Sequence, residues 1–210
     1  AIAIHLGGDV PGFVEMMNAK ARELGCTNTN FENPHGLPSD NHYTTANDLA
    51  RITAYAMRND KFKEIVSTKY IEVKPSGEGK DRVSQNKNKL LWNYEGATGV
   101  KTGYTKSAGK CLIGAAEKNG THVVAVVLNC GAMWDDTMAL MDSALGDYGM
   151  VEVVADGTST GDIAVQSGQE ASASTAGSGS FSMPLADGAM ANIEVPSQLP
   201  ARVQAPVNPG

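Results

Sequence analysis

The chain has 210 residues, with 17 Lys and Arg against 23 Asp and Glu, for a formal net charge of −6. It carries no basic cluster longer than Lys87-Asn88-Lys89, so it offers no electrostatic footprint for nucleic acid. No apolar run approaches the roughly 18 residues of a membrane-spanning helix.

The length suits one ordinary domain with an appendage, and composition shifts along it. Up to about Met150 charged, aromatic and apolar residues mix, whereas from Asp156 onward Ser, Gly, Ala and Thr dominate. The expected division is a globular domain over residues 1–150 and a β-rich one over 151–210.

Ala1 to Leu6 reads as the latter part of an apolar helix, with neither a starting Met nor an N-cap, so further chain is expected upstream of Ala1. Asp9 and Pro11 mark the start of a second helix whose buried face is expected through Phe13, Met16, Met17 and Leu24, with Gly25 as its C-terminal cap. Cys26 to Tyr43, rich in Asn, Pro, Gly and His, reads as a long loop of the kind that serves a site. Thr45 and Asp48 resemble a capping box, and Leu49, Ile52 and Ala56 supply the stripe of the helix behind it.

Asp60 to Val66 reads as a short helix, Tyr70 to Lys74 as a strand, and Asn86 to Trp92 as a connector. Two apolar runs, Cys111 to Lys118 and Thr121 to Asn129, flank Asn119-Gly120, the preferred pair for a type I′ hairpin. That turn sets Lys118 opposite Thr121 and Cys111 opposite Leu128. Cys111 and Cys130 are then diagonal neighbours at roughly 7–8 Å, and a disulfide between them would distort the ladder.

Met133, Met138, Met141 and Leu145 give one more helix, packed behind the hairpin. Beyond it, Ile163 to Val165, Phe181 to Met183, Ile193 to Val195 and Val203 read as short strands, and Ser172 to Ser180 by itself as a flexible linker.

Chemistry enters at Lys101-Thr102-Gly103-Tyr104, a Lys-Thr-Gly triplet on a β-type run. On a sheet edge the ammonium and the hydroxyl are expected to face one groove and attract a carboxylate, while Gly103 admits close approach of a substrate backbone. The triplet alone equally fits a lysine-bearing strand end. Its surroundings are more specific. Asn33-Pro34-His35-Gly36-Leu37, the run His42 to Ala50, Asn86-Lys87-Asn88-Lys89-Leu90-Leu91-Trp92, and Gly99 to Thr105 with Ala108-Gly109 stand in one order along the chain.

That order resembles the D-alanyl-D-alanine carboxypeptidases, the low-molecular-mass penicillin-binding proteins of peptidase family S11. The resemblance implies an α/β (α+β) fold, a partial penicillin-binding protein/β-lactamase-like transpeptidase fold with helices packed on an antiparallel sheet, and then the start of a small β-rich C-terminal domain. It implies an acyl-enzyme mechanism that trims terminal D-Ala from peptidoglycan stem peptides ending in D-Ala-D-Ala. β-Lactams would be inhibitors, no metal or organic cofactor is needed, and the work is done outside the bacterial cytoplasmic membrane. A membrane tether is implied only through a C-terminal segment that this chain does not contain.

By the same resemblance, Lys101 and Thr102 bind the terminal carboxylate, Gly103 allows close approach, and the Tyr104 N–H forms part of the oxyanion hole. The family also uses an S-x-x-K serine and lysine and an S-x-N motif ahead of its K-T-G. Here Ser107-Ala108-Gly109-Lys110 fits the first pattern only after the triplet, on the turn into the next strand. Ser39-Asp40-Asn41 and Ser84-Gln85-Asn86 fit the second within a loop and the connector. All three are expected to be decoys, with the nucleophilic Ser and basic Lys upstream of Ala1.

His35 and His42 are candidate bases, although loop histidines making structural hydrogen bonds is the plainer expectation. Asp48 is expected to serve its helix start. Glu32 lacks the E-x-x-L-N context of a class A β-lactamase, which counts against that activity. The alternative to an enzyme is a non-catalytic module that binds peptidoglycan peptides or β-lactams.

Overall fold

Helix α1 (Ile2–Gly7) occupies the apolar start of the chain, and α2 (Val10–Glu23) follows where the sequence places it. The Asp9 carboxylate accepts the Gly12 N–H at 2.7 Å, and Pro11 lies in the first turn, where a missing N–H costs nothing. Gly25, at φ 76°, ends α2 as a Schellman cap: its N–H donates to the Arg22 carbonyl, and the Cys26 N–H donates to Ala21 at 2.9 Å. Of the expected inward face, Phe13, Met17 and Leu24 are partly buried and only Met16 departs. Ala21 is buried with Phe13 and Met17 partly covered beside it, while Met16 is 51 % exposed.

Helices α3 (Ala46–Ala56) and α4 (Asp60–Ser67) begin at Thr45 and Asn59, whose side chains accept the Asp48 and Phe62 N–H groups. Strands β1 (Tyr70–Val73) and β2 (Arg82–Gln85) pair antiparallel. Strand β2 falls where the sequence suggested no element, and helix α5 (Leu90–Asn93) takes up the end of the expected connector. The computed structural model describes residues 1–74, 77, 79–166, 172–176, 178, 180–186 and 202–204.

The main sheet is β3 (Ala97–Thr105), β4 (Gly109–Lys118) and β5 (Thr121–Val127), antiparallel in that order, with α6 (Met133–Asp147) after it. Asn119 and Gly120 both have positive φ, as a type I′ turn requires, and Lys118 pairs with Thr121 as expected. Among the described residues β4 is the central strand and β3 forms an outer edge. Leu112 and Ala116 of β4 join Leu90, Ala125 and Met141 in the core, and Met133, Met138 and Leu145 of α6 pack around it, the face the methionine spacing predicts.

Gly114 lets the layers approach. A Cβ there would lie 2.6 Å from Thr137 Cγ2 and 2.8 Å from Leu90 Cδ1, so α5 and α6 press on this strand more closely than any side chain permits. On the opposite face Ala115 is buried and lines a cleft of about 360 Å³ with Ala54 and Met57 around α3. The Tyr94 hydroxyl donates to Asp142 at 2.7 Å, tying the end of α5 to α6; burial and then that carboxylate push its pKa up to about 12.

All three cysteines are free thiols. Cys130 donates to Asp136 at 2.9 Å, and this bond to a carboxylate pushes its pKa up.

The chain divides into two compact units, Ala1–Leu145 and Gly146–Gly210. In the second, β6 (Tyr148–Val154) pairs antiparallel with β9 (Phe181–Ala186), and β7 (Ser159–Gln166) lies between an antiparallel β8 (Ser172–Ala176) and a parallel β10 (Arg202–Gln204). The polar Ser172 to Ala176 run, which reads as linker by composition, is a paired strand here because a ladder needs backbone rather than apolar side chains. The expected strand at Ile193 to Val195 lies outside the described residues.

Two substitutions test this packing by urea denaturation. Gly114→Ala should lower stability by about 1–3 kcal/mol, the usual cost of overpacking. Thr137 is fully buried with no partner for its hydroxyl, so Thr137→Val should raise stability by about 1 kcal/mol.

Candidate substrate-binding edge strand

Strand β3 is held on one side by β4 and turns back through Lys106, Ser107 and Ala108. The Thr105 hydroxyl accepts the Ala108 N–H at 3.0 Å, and Gly109 returns the chain at φ 67° with no room for a side chain, since a Cβ would lie 2.1 Å from Asn129 Oδ1. Register then decides which way each motif residue faces. Val100 and Thr102 pair with Gly114 and Leu112, on the side of α5 and α6, whereas Lys101 and Gly103 pair with Ile113 and Cys111 on the other side.

Lys101 and Thr102 therefore leave the strand on opposite faces, not into one groove as the sequence suggested, because successive residues of a strand alternate. At the strand edge the exposed Lys101 ammonium donates to the Thr102 backbone carbonyl. Gly103 leaves the strand edge without a side chain above Cys111, whose Cβ would make ordinary contact, at 3.7 Å, with a Cβ at that position.

Thr102, Gly103 and Tyr104 line a cleft of about 430 Å³ with Lys87, Lys110 and Trp134. Lys87 belongs to the Asn-Lys-Asn run, so two segments singled out in the sequence meet here. Tyr104 is 70 % exposed, and a ligand at this edge meets the ammonium groups of Lys87 and Lys110 over an apolar floor of Met133 and Trp134. In the sequence Lys110 stands only as the lysine of the Ser107 to Lys110 pattern, expected to be a decoy, and no spacing links Trp134 to β3.

The remaining motif residues are scaffolding. Asn33 accepts the Gly36 N–H and donates to the Leu37 carbonyl, closing the Asn-Pro-His-Gly turn. His35 Nδ1 accepts the Leu37 N–H at 3.2 Å and His42 Nδ1 accepts the Glu32 N–H at 3.0 Å, so both rings are bound to backbone as structural histidines are. Asn18 takes the Phe31 N–H and carbonyl, both at 2.8 Å. Asn86 donates to the Val66 and Thr68 carbonyls and accepts the Asn88 N–H.

Asp48 is buried, but it does not reach back to close a capping box. Its Oδ2 accepts the Thr29 hydroxyl at 2.7 Å and the Asn28 N–H at 2.9 Å, clipping the long loop to α3. The Thr29 bond leads the contacts that hold its pKa below the ordinary carboxylate range, with burial opposing and backbone donors and Arg51 assisting.

The serines with suggestive spacing are elsewhere. The Ser107 hydroxyl sits 3.2 Å from Thr105 Oγ1 on the exposed turn, Ser39 donates to Glu32 in the loop, and Ser84 is exposed on β2, opposite Ile71.

Residues 1–132 match the family model described as D-alanyl-D-alanine carboxypeptidase. The chain belongs to that family, peptidase S11. It is 33 % identical over 151 residues to the D-alanyl-D-alanine carboxypeptidase DacF of Bacillus subtilis, covering 70 % of this chain and 39 % of that protein. To DacA of Haemophilus influenzae it is 38 % identical over 133 residues, covering 61 % and 32 %. The chain thus spans two fifths or less of these relatives' length.

Among solved structures, penicillin binding protein 5 from Haemophilus influenzae superposes with a TM-score of 0.73 at 27 % identity, over 98 % of this chain and 60 % of that one. The DD-transpeptidase of Streptomyces K15 gives 0.60 at 34 % identity, over 65 % and 55 %. These neighbours place the chain in the penicillin-recognising α+β fold. Among the described residues no helix is long and apolar enough to cross a membrane.

The Asp48 clip carries a signed pH prediction. A carboxylate depressed in the folded state adds stability at neutral pH and loses it as pH falls through the folded pKa. Asp48→Asn should therefore lower the urea midpoint at pH 7, and its deficit relative to the parent chain should shrink below about pH 4. A deficit independent of pH would exclude the carboxylate charge as its source.

Proposed function

We propose that this chain carries the carboxylate-gripping wall of a serine-type D-Ala-D-Ala carboxypeptidase acting on peptidoglycan stem peptides outside the bacterial cytoplasmic membrane. The observation that supports it is the exposed edge of β3, where Thr102, Gly103 and Tyr104 line a cleft shared with Lys87 and the exposed Lys101 ammonium lies at the same strand edge. A peptide ending in D-Ala-D-Ala can align along this edge as an added strand. Its terminal carboxylate takes the Lys101 ammonium and the Thr102 hydroxyl, charge-assisted bonds about twice as strong as neutral ones.

Gly103 sets no side chain between strand and substrate, and the Tyr104 N–H is one donor to the scissile carbonyl as it becomes an oxyanion. The nucleophilic Ser, its Lys base and the S-x-N motif belong to the part of the relatives' length that this chain does not span. Attack by that serine breaks the terminal amide, releases D-Ala as the leaving amine and forms a serine ester. Water then frees the trimmed peptide. β-Lactams present a carboxylate and a strained amide to the same groups and are the expected inhibitors.

In the protein with its serine motif present, Lys101→Ala should lower the rate of acylation by a D-Ala-D-Ala peptide and by a fluorescent penicillin alike. A fall of about 10- to 100-fold corresponds to losing one hydrogen bond to a charged group. Unchanged acylation removes Lys101 from the site. The 210-residue chain alone should take no covalent penicillin label by mass spectrometry; labelling at Ser107 or Ser39 would make one of them the nucleophile.

A further inference from the structure

The face of β3 that carries Thr102 holds a different lysine from the one in the Lys-Thr-Gly triplet. In the β3–β4 ladder Thr102 pairs with Leu112 and Tyr104 with Lys110, and paired residues share a face. Thr102, Tyr104 and Lys110 therefore stand together on the side of α5 and α6, while Lys101 stands on the other. Lys110 is the diagonal neighbour of Thr102, a separation that a long side chain spans.

The sheet fixes where Lys110 starts. Gly109 brings the chain into β4 just before it, and the Lys110 carbonyl accepts the Cys130 N–H at 2.9 Å. Its side chain is exposed and opens on the cleft of about 430 Å³ beside Met133 and Trp134. A charge next to such apolar surface is screened less than one in open water. Among the described residues Lys110 forms no ion pair, and Asp136 on α6 takes the Cys130 thiol at 2.9 Å.

Lys87 reaches the same cleft from the connector. It also lines a second cleft with Tyr70 and Trp92, whose rings meet edge to face with centroids 5.8 Å apart. No ladder ties Lys87 to Thr102, so it adds positive potential where Lys110 adds a placed contact.

We propose that Lys110 is a second cation for the substrate's terminal carboxylate, which its ammonium and the Thr102 hydroxyl hold together from the α6 side of β3. The inference rests on the carboxypeptidase reading above and adds to it a residue that touches the substrate. A carboxylate has two oxygens and about four lone-pair sites, so it accepts Thr102 and Lys110 on one side of the edge and Lys101 on the other. Lys101 alone is a poorer grip, because its ammonium is anchored on the Thr102 carbonyl. The lysine of the Ser107 to Lys110 pattern thus binds an anion instead of serving as a base. Two cations on one anion make the edge strict for a free C-terminus.

The test is NMR titration of the 210-residue chain with diacetyl-Lys-D-Ala-D-Ala and with its C-terminal carboxamide, which differ in that one charge. The parent chain should favour the acid. Lys110→Gln, at an exposed position, should weaken the acid about 10- to 100-fold, the usual contribution of a hydrogen bond to a charged group, and leave the carboxamide unchanged. Lys110→Arg should restore most of the loss. Lys106→Gln removes the same charge from the turn between the strands and should weaken the acid by about twofold or less. Equal losses in Lys106→Gln and Lys110→Gln make the effect one of general charge and overturn the inference. Parent affinity for the acid in Lys110→Gln, beside a loss in Lys101→Ala, overturns it and leaves the β3 reading standing. A parent chain that does not prefer the acid sinks both.

Discussion

Everything in the first unit hangs on β4 being covered on both faces. Leu112, Gly114 and Ala116 meet α5 and α6, and Ala115 is buried on the side of α3. A slip of one residue would send Leu112 to the wrong layer and put a side chain where only Gly114 fits, so the register has one solution. Two turns with positive φ hold it at the ends, Asn119-Gly120 toward β5 and Gly109 toward β3. Because β3 has no freedom relative to β4, the facing of Lys101 and Thr102 is a consequence of core packing two strands inward.

The second device is the side-chain amide. Asn18, Asn33, Asn86 and the Asp48 carboxylate serve backbone groups that neither helix nor sheet can pair, which is how the loop from Cys26 to Tyr43 stays ordered without regular structure. Most of the sequence signature of this family is therefore structural in this unit. Asn-Pro-His-Gly-Leu makes a turn, the Thr45 to Asp48 segment starts a helix and clips a loop, and Asn86 and Asn88 shape the connector. Lys87 and Lys89 are exposed in that run and line a cleft, whereas Asn88 and Leu90 between and after them are buried.

That division of labour gives the binding surface its form. Rigid, inward-bonded asparagines on either side project Lys87 at the junction of two clefts, and the outer residues supply two chemistries: charge and an open strand edge at β3, rings and amides at the hairpin.

Local chemistry was legible in the sequence wherever the signal is short-range. The caps at Asp9, Thr45 and Asn119-Gly120, the methionine stripe of α6 and the order of the family motifs each depend on residues a few positions apart. They set the helices, the hairpin and the family. The tertiary structure alone decided the rest. Strand β2 is exposed and β8 has a polar sequence, so what makes each extended is a partner strand, and Met16 is exposed although its spacing fits the apolar face of α2. Lys101 and Thr102 parted across the sheet because alternation is counted from a partner strand's register. Lys87, Lys110, Trp134 and the Trp92–Tyr70 corner converge from segments that no sequence period connects, so the clefts exist only once β4 is packed between its two layers.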